Sequence, residues 1–279
     1  MKSLNLRSNQ GAGLRLLCVL LLSAMTVPSL RAQANAEFDD YKARIDGYWL
    51  LAFPGGSITD ATSGDIIDLQ KDFGFGSYSS FAGKFDWKFT HKNHIYVTGA
   101  NFNHSRVATL QRTIAFQGQT FNVGVVTKAD ISAPLIAPGY QYDIIRRRRG
   151  NFGLAVQIDL FNSSASFFAA AQANNNNQSV SAKKSLLAPI PVAGPTFRYY
   201  LTNSPRLFVE GNVFGMYLFG YGNFISTTDD VGITLNKHLS LNVGYSLGSR
   251  LTVNVDSKKD RLGLRLTQQG PLVGAEVSF

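Results

Sequence analysis

Leu272-Val273-Gly274-Ala275-Glu276-Val277-Ser278-Phe279 closes the chain with apolar residues at every second position and an aromatic as its last side chain. Successive side chains of a strand point to opposite faces, so this stretch presents one apolar face and one mixed face. Such a strand can meet lipid on one side and a polar interior on the other without any long apolar run.

The same period of two recurs upstream. In 239–247, Leu239, Leu241, Val243, Tyr245 and Leu247 share a face opposite Ser240, Asn242, Gly244 and Ser246. In 152–160, Leu154, Val156, Ile158 and Leu160 oppose Gly153, Ala155, Gln157 and Asp159; in 81–89, Phe81, Phe85, Trp87 and Phe89 oppose Ala82, Lys84, Asp86 and Lys88. The segment Ile95 to His104 is mixed on both faces.

Short polar segments at 90–93, 146–151, 202–205 and 236–238 read as tight turns, and longer connections at 54–76, 106–132, 165–185, 220–223 and 247–259 separate the remaining strands. Short turns on one rim and long loops on the other are the asymmetry of outer-membrane barrels. The expected fold is all-β: a transmembrane antiparallel up-and-down barrel of about ten strands, with eight as the alternative. Trp87, Phe89, Tyr140, Tyr142, Phe152, Tyr199 and Phe279 cluster beside the short turns, where an aromatic girdle belongs. A secreted β-sandwich also buries aromatics but has no reason to place them beside one set of turns.

The last strand contains a parity conflict. Leu262, Leu264 and Leu266 are even, whereas Val273, Ala275, Val277 and Phe279 are odd, with Gln269-Gly270-Pro271 between them. A hairpin at Gly-Pro would make the strand count odd; a β-bulge there shifts parity by one residue and keeps one long strand, and is the expectation.

At the amino end, Lys2, Arg7 and Arg15 precede an apolar stretch from Leu16 to Leu22, and Ala32-Gln33-Ala34 supplies a small-x-small cleavage site. Residues 1–34 are expected to form a signal-peptide helix cut after Ala34, with Ala36 as the alternative, leaving 35–279 as the barrel. The apolar stretch is well short of the roughly 20 residues that span a bilayer. The only cysteine, Cys18, lies inside the signal. Part of the formal charge of +9 leaves with it, so the mature chain is moderately basic. The address this implies is the outer membrane of a Gram-negative-type bacterium.

Projecting the alternation inward gives Arg44, Lys84, Lys88, Arg198 and Arg265 as cations and Asp46, Asp86, Asp143, Asp159, Glu210 and Glu276 as anions. The signs nearly cancel. A barrel of this size, far below the roughly 16 strands of an aqueous porin, is expected to be plugged by such a network. The functional expectation is a structural or surface-interaction barrel with recognition loops; the alternative is a narrow channel for small or amphipathic solutes.

Enzymatic chemistry finds little support. His91, His94 and His238 sit at or beside short turns, and His104 and Ser105, as adjacent strand residues, point to opposite faces. No catalytic, cofactor or metal site is expected. Arg146-Arg147-Arg148-Arg149 forms a turn in an exported chain, so nucleic acid is not the expected partner. Outer-membrane lipid and lipopolysaccharide are, together with the barrel assembly machinery acting on Phe279. Asn174 to Asn177 reads as a loop cap, and 113–123 as a small hairpin around Gln117-Gly118.

With its signal, the segment Asp68-Leu69-Gln70-Lys71-Asp72-Phe73-Gly74-Phe75, the pattern Thr113-Ile114-x-Phe116-x-Gly118 and the closing Gln269 to Phe279, the chain resembles small bacterial outer-membrane barrels of the OmpA/OmpX/OmpW type. The resemblance implies a membrane barrel and carries no active-site residues. Those barrels usually have eight strands, against the ten read here.

Overall fold

The computed structural model describes residues 38–60, 64–173, 176–218, 222–246, 250–257 and 260–279. The expected signal, its cleavage after Ala34, Cys18, and Asn174 and Asn175 lie outside the described residues. The barrel wall is made of β1 (Ala43–Asp60), β3 (Tyr78–Lys88), β4 (Asn93–Asn101) continuing into β5 (Asn103–Thr109), and β8 (Val126–Ser132) continuing into β9 (Leu135–Arg147). It goes on through β10 (Gly150–Ala173), β11 (Asn176–Tyr200), β12 (Arg206–Leu218), β13 (Gly222–Thr234), β14 (Leu239–Ser246) with β15 (Arg250–Ser257), and β16 (Asp260–Ser278). The loop elements are β2 (Ile66–Asp68), α1 (Leu69–Phe73), β6 (Ile114–Phe116) and β7 (Gln119–Phe121).

Every neighbouring pair is antiparallel, and β1 closes the sheet by pairing with both β3 and β16. This gives ten wall strands with no free edge, the one way a sheet satisfies its backbone in lipid. The start of β1 and the end of β16 meet on the short-turn rim, where Lys42 N–H donates to the Phe279 carbonyl at 2.7 Å and Phe279 N–H to that of Ala43 at 2.8 Å. The apolar residues of the alternating strands point outward: Phe85, Leu154, Val156, Ile158, Val243 and Val273 are all exposed. Trp87, Phe89, Tyr142, Phe152, Tyr199 and Phe279 are exposed near the short turns.

Three expectations need correction. First, β16 is one strand but has no parity-shifting bulge at 269–271: its register with β1 is the same at Leu50↔Leu272 and at Phe53↔Gln269. Gly270 lets it pass, since a Cβ there would collide with the Leu51 carbonyl oxygen. Leu266 and Leu272 therefore face inward and Arg265 stands exposed on the outer side, apart from the lumen charges. The parity conflict arose because the upper lumen is apolar, so an inward leucine is not misplaced there.

Second, a bulge lies in β9 instead, where the register against β10 shifts between Phe152 and Gly153. Ile144 and Ile145 both face out as a result, and Arg146 turns inward with its side chain 3% exposed. Only Arg148 and Arg149 of the arginine run remain to make the turn. Third, much of 165–185 and 247–259 is strand rather than loop: β10 and β11 pair continuously from Gly150↔Tyr199 to Ala173↔Asn176, and β15 extends the wall between β13 and β16. The hairpin at Gln117-Gly118 is present as β6–β7.

Candidate functional site

The short-turn end of the lumen is a floor of charge. Arg198 on β11 donates from Nη1 to Glu276 Oε2 at 2.6 Å and to Glu210 Oε2 at 2.8 Å, and from Nη2 to Glu276 Oε1 at 3.1 Å. Arg44 lies 3.1 Å from Glu210, 3.4 Å from Asp46 and 3.7 Å from Glu276. Lys84 pairs with Asp86 at 3.6 Å, and the Arg198 guanidinium sits 3.8 Å over the Phe208 ring. Four strands, β1, β11, β12 and β16, are thus tied across the lumen rather than only along the ladder.

Sequence projection missed four members of this layer. Asp39, from the segment preceding β1, accepts from Asn151 Nδ2 at 2.8 Å and lies 3.5 Å from Lys88 Nζ, while its backbone carbonyl takes Arg146 Nη2 at 3.0 Å. Phe38 beside it packs edge-on to Tyr200, so residues 38–42 stopper this end. Burial alone would raise the Asp39 carboxyl, but Lys88, Arg198, Arg44 and Arg146 together hold it below the usual carboxylate range. His94 sits with Nδ1 3.1 Å from Asp86 and Nε2 3.0 Å from Asp143, and a ring carrying both protons donates to both. Arg146 is 3.5 Å from Asp143. Asp230, the fourth, is buried on β13.

His94 and Asp230 were legible in principle, because outward Ile95 and Val97, and Ile225 and Val231, set the opposite parity inward. Asp39 had no strand pattern to project, and Arg146 was hidden by the bulge. With these additions, Asp39, Asp46, Asp86, Asp143, Asp159, Glu210, Asp230 and Glu276 face Arg44, Lys84, Lys88, Arg146 and Arg198, with His94 between. Among the described residues at this end, carboxylates therefore outnumber cations.

Above the floor lies a cavity of about 250 Å³. Its lower wall is polar, with Arg44, Tyr48, Lys84, Tyr96, Gln157, Asp159, Glu210 and Asp230; its upper wall carries Leu50, Phe102, Leu135, Phe161, Phe214 and Phe224. Tyr96 is held by donating to Gln157 Oε1 at 2.9 Å, and its ring occupies the space a side chain at its cross-strand partner Gly139 would need. The lumen is therefore not filled throughout, as expected from sequence; it is filled at its floor.

An apolar cap covers the far end. Asp68 N-caps α1 by accepting from Gln70 and Lys71 N–H at 3.0 and 2.9 Å, and Gly74 ends it in the left-handed region at φ 62°. Phe73 stacks on Phe167 of β10 at 5.0 Å between centroids, and Phe116 meets the same ring edge-on at 4.8 Å. Phe73 comes from the loop after the first wall strand and Phe167 from the fifth, so the contact spans the mouth. Arg112 pins the two loops together through Asp72, with Nε and Nη2 donating at 2.9 and 2.8 Å. His104 lies inside against Phe75 and Tyr78, while neighbouring Ser105 is exposed.

No family model matches this sequence, and no curated protein matches it. Solved structures do match in shape. The outer membrane protease OmpT from Escherichia coli aligns with a TM-score of 0.55 at 12% identity, covering 88% of this chain and 99% of that one. The transport unit of the autotransporter AIDA-I from Escherichia coli aligns at 0.42 and 8% identity, over 96% and 97% of the two chains. The toluene transporter TodX of P. putida aligns at 0.35 and 8%, over 87% and 91%. The fold is that of an outer-membrane β-barrel. With an apolar belt outside and all wall strands paired, the protein resides in the outer membrane of a Gram-negative-type envelope.

Proposed function

We propose that this barrel is a structural and surface-interaction protein of the outer membrane that neither conducts freely nor catalyses a reaction. The observation that carries the reading is the floor: Arg198 and Arg44, each nearly fully buried, bridge β1, β11, β12 and β16 across the lumen, with the 38–42 segment behind them. An ion path would have to break several charge-assisted bonds at once. His94, flanked by Asp86 and Asp143, is 1% exposed and has both nitrogens engaged, so no substrate reaches it. Recognition then falls to the outer cap and its hairpin, and lipid and lipopolysaccharide contact the belt.

Single-channel recording of the refolded mature protein tests this reading. The expected result is a silent bilayer, and unitary current steps in the wild type would overturn it in favour of a narrow solute channel. The cavity between floor and cap is the feature that favours that second reading. Phe279, exposed at the closing end of β16, serves in this proposal as the assembly signal. Its deletion should leave protein in the periplasm, whereas unchanged surface levels would remove that role.

A further inference from the structure

We infer that the lumen cavity is a binding site for a small organic cation, an ammonium group on an apolar or aromatic body. Two carboxylates line it with no cation of the described residues within 4.0 Å: Asp159 on β10 and Asp230 on β13. Asp159 is 1% exposed and accepts one bond, from Gln157 Nε2 at 2.6 Å. Asp230 is 6% exposed and lies beside the Asn242 side chain, with its Oδ1 lacking a hydrogen-bond partner. A buried charged carboxylate without a counter-charge is costly: such a group either takes up a proton or gains a cation from outside, and a bound ammonium would be that cation.

The nearest cations pair with neither carboxylate, and Arg198 and Arg44 attract Asp230 only at longer range. Arg44 and Arg198 are committed to Glu210 and Glu276, and Lys84 to Asp86. Across from Asp230, its cross-strand partner is Glu210, a like charge that deepens the local negative potential. The rest of the wall suits the other half of such a ligand: Phe161, Phe214 and Phe224 offer apolar area above, and Tyr48 adds an aromatic ring to the lining. A pocket with a few placed polar groups under an apolar roof is the general form of a small-molecule site.

The inference does not depend on whether the barrel conducts, so a conducting protein that still binds the cation would leave it standing. The test uses the mature chain refolded in detergent with one of three probes present: protonated 2-phenylethylamine, neutral 2-phenylethanol or phenylacetate. The amine is expected to bind saturably by calorimetry and raise the unfolding temperature. The alcohol should bind at least tenfold more weakly, and phenylacetate not at all. Asp159→Asn and Asp230→Asn should each weaken the amine at least tenfold. Because each removes an unpaired buried charge, both variants should fold with undiminished thermal stability, which keeps the comparison interpretable. Equal binding of amine and alcohol, no saturable binding of the amine, or amine affinity unchanged in both variants would overturn the proposal.

Discussion

Arg198 and Glu276 form a two-pronged ion pair at 2.6 and 3.1 Å between the sixth and the last wall strands, which are not neighbours in the sheet. The pair therefore ties the barrel across its interior. Removing one partner of a buried pair leaves the other stranded, at a cost of about 3–5 kcal/mol, whereas an exposed pair is worth under about 1. Arg198→Ala should lower the unfolding temperature far more than Arg147→Ala, whose side chain is exposed. Equal shifts in thermal melts would show that Arg198 is solvated.

The contact between Arg112 and Asp72 predicts a different kind of effect. Arg112 is 41% exposed, so losing it should change global stability little. Asp72 is buried, however, and also accepts from the Asp68 N–H at 2.8 Å, so its loss should unpin α1 as well as the hairpin. Limited proteolysis should cut 110–125 faster in Arg112→Ala, and both loops faster in Asp72→Ala, with the barrel intact. Identical cleavage patterns in wild type and variants would show that the Phe73–Phe167 stack alone holds the cap.

How much of this was legible follows from where periodicity applies. The outward faces of β3, of β10 over 152–160 and of β14 could be read directly, because there one face meets lipid and the alternation does not break. The rule failed wherever the interior was not polar or the chain was not a regular strand. Leu266 and Leu272 look like lipid contacts but face an apolar upper lumen, which displaced Arg265 in the projection. Ile144, one inserted residue, moved Arg146 from the turn to the floor. Asp39 and the aromatic cap sit in segments whose positions are set by tertiary contacts, so no local pattern announces them.

Asp39 gives the stopper a pH dependence. Its carboxyl is held below the ordinary value in the folded protein, Lys88 contributing the largest attraction against the cost of burial. A depressed carboxyl contributes stability that is fully present above the unfolded value of about 4 and is lost as pH falls through the folded one. The 38–42 segment should stay docked from neutral pH down to about 4 and loosen below it. The protection factor of the Phe38 amide, which donates to the Arg148 carbonyl at 3.0 Å, should fall on that acid limb once the slower intrinsic exchange at low pH is divided out. Asp39→Asn should show the lower protection at neutral pH as well. Protection that is flat from pH 6 to about pH 3 would sink the idea.

The bulge in β9 makes a prediction about deletion. Between inward Asp143 and inward Arg146 stand two outward residues, Ile144 and Ile145, where a regular strand has room for one. Deleting Ile144 therefore regularises the ladder and leaves Asp143 and Arg146 facing the same way, so the barrel should refold with a small change in melting temperature. Deleting Ile158 from the middle of β10, where pairing with β11 is unbroken, shifts parity instead. Every residue on one side of the cut then turns to the wrong face, Asp159 toward lipid or Leu154 and Val156 toward the lumen. That variant should fail to give the heat-modifiable band of a folded barrel in unheated gels. Failure of both deletions alike would mean that Ile144 is held for reasons other than parity.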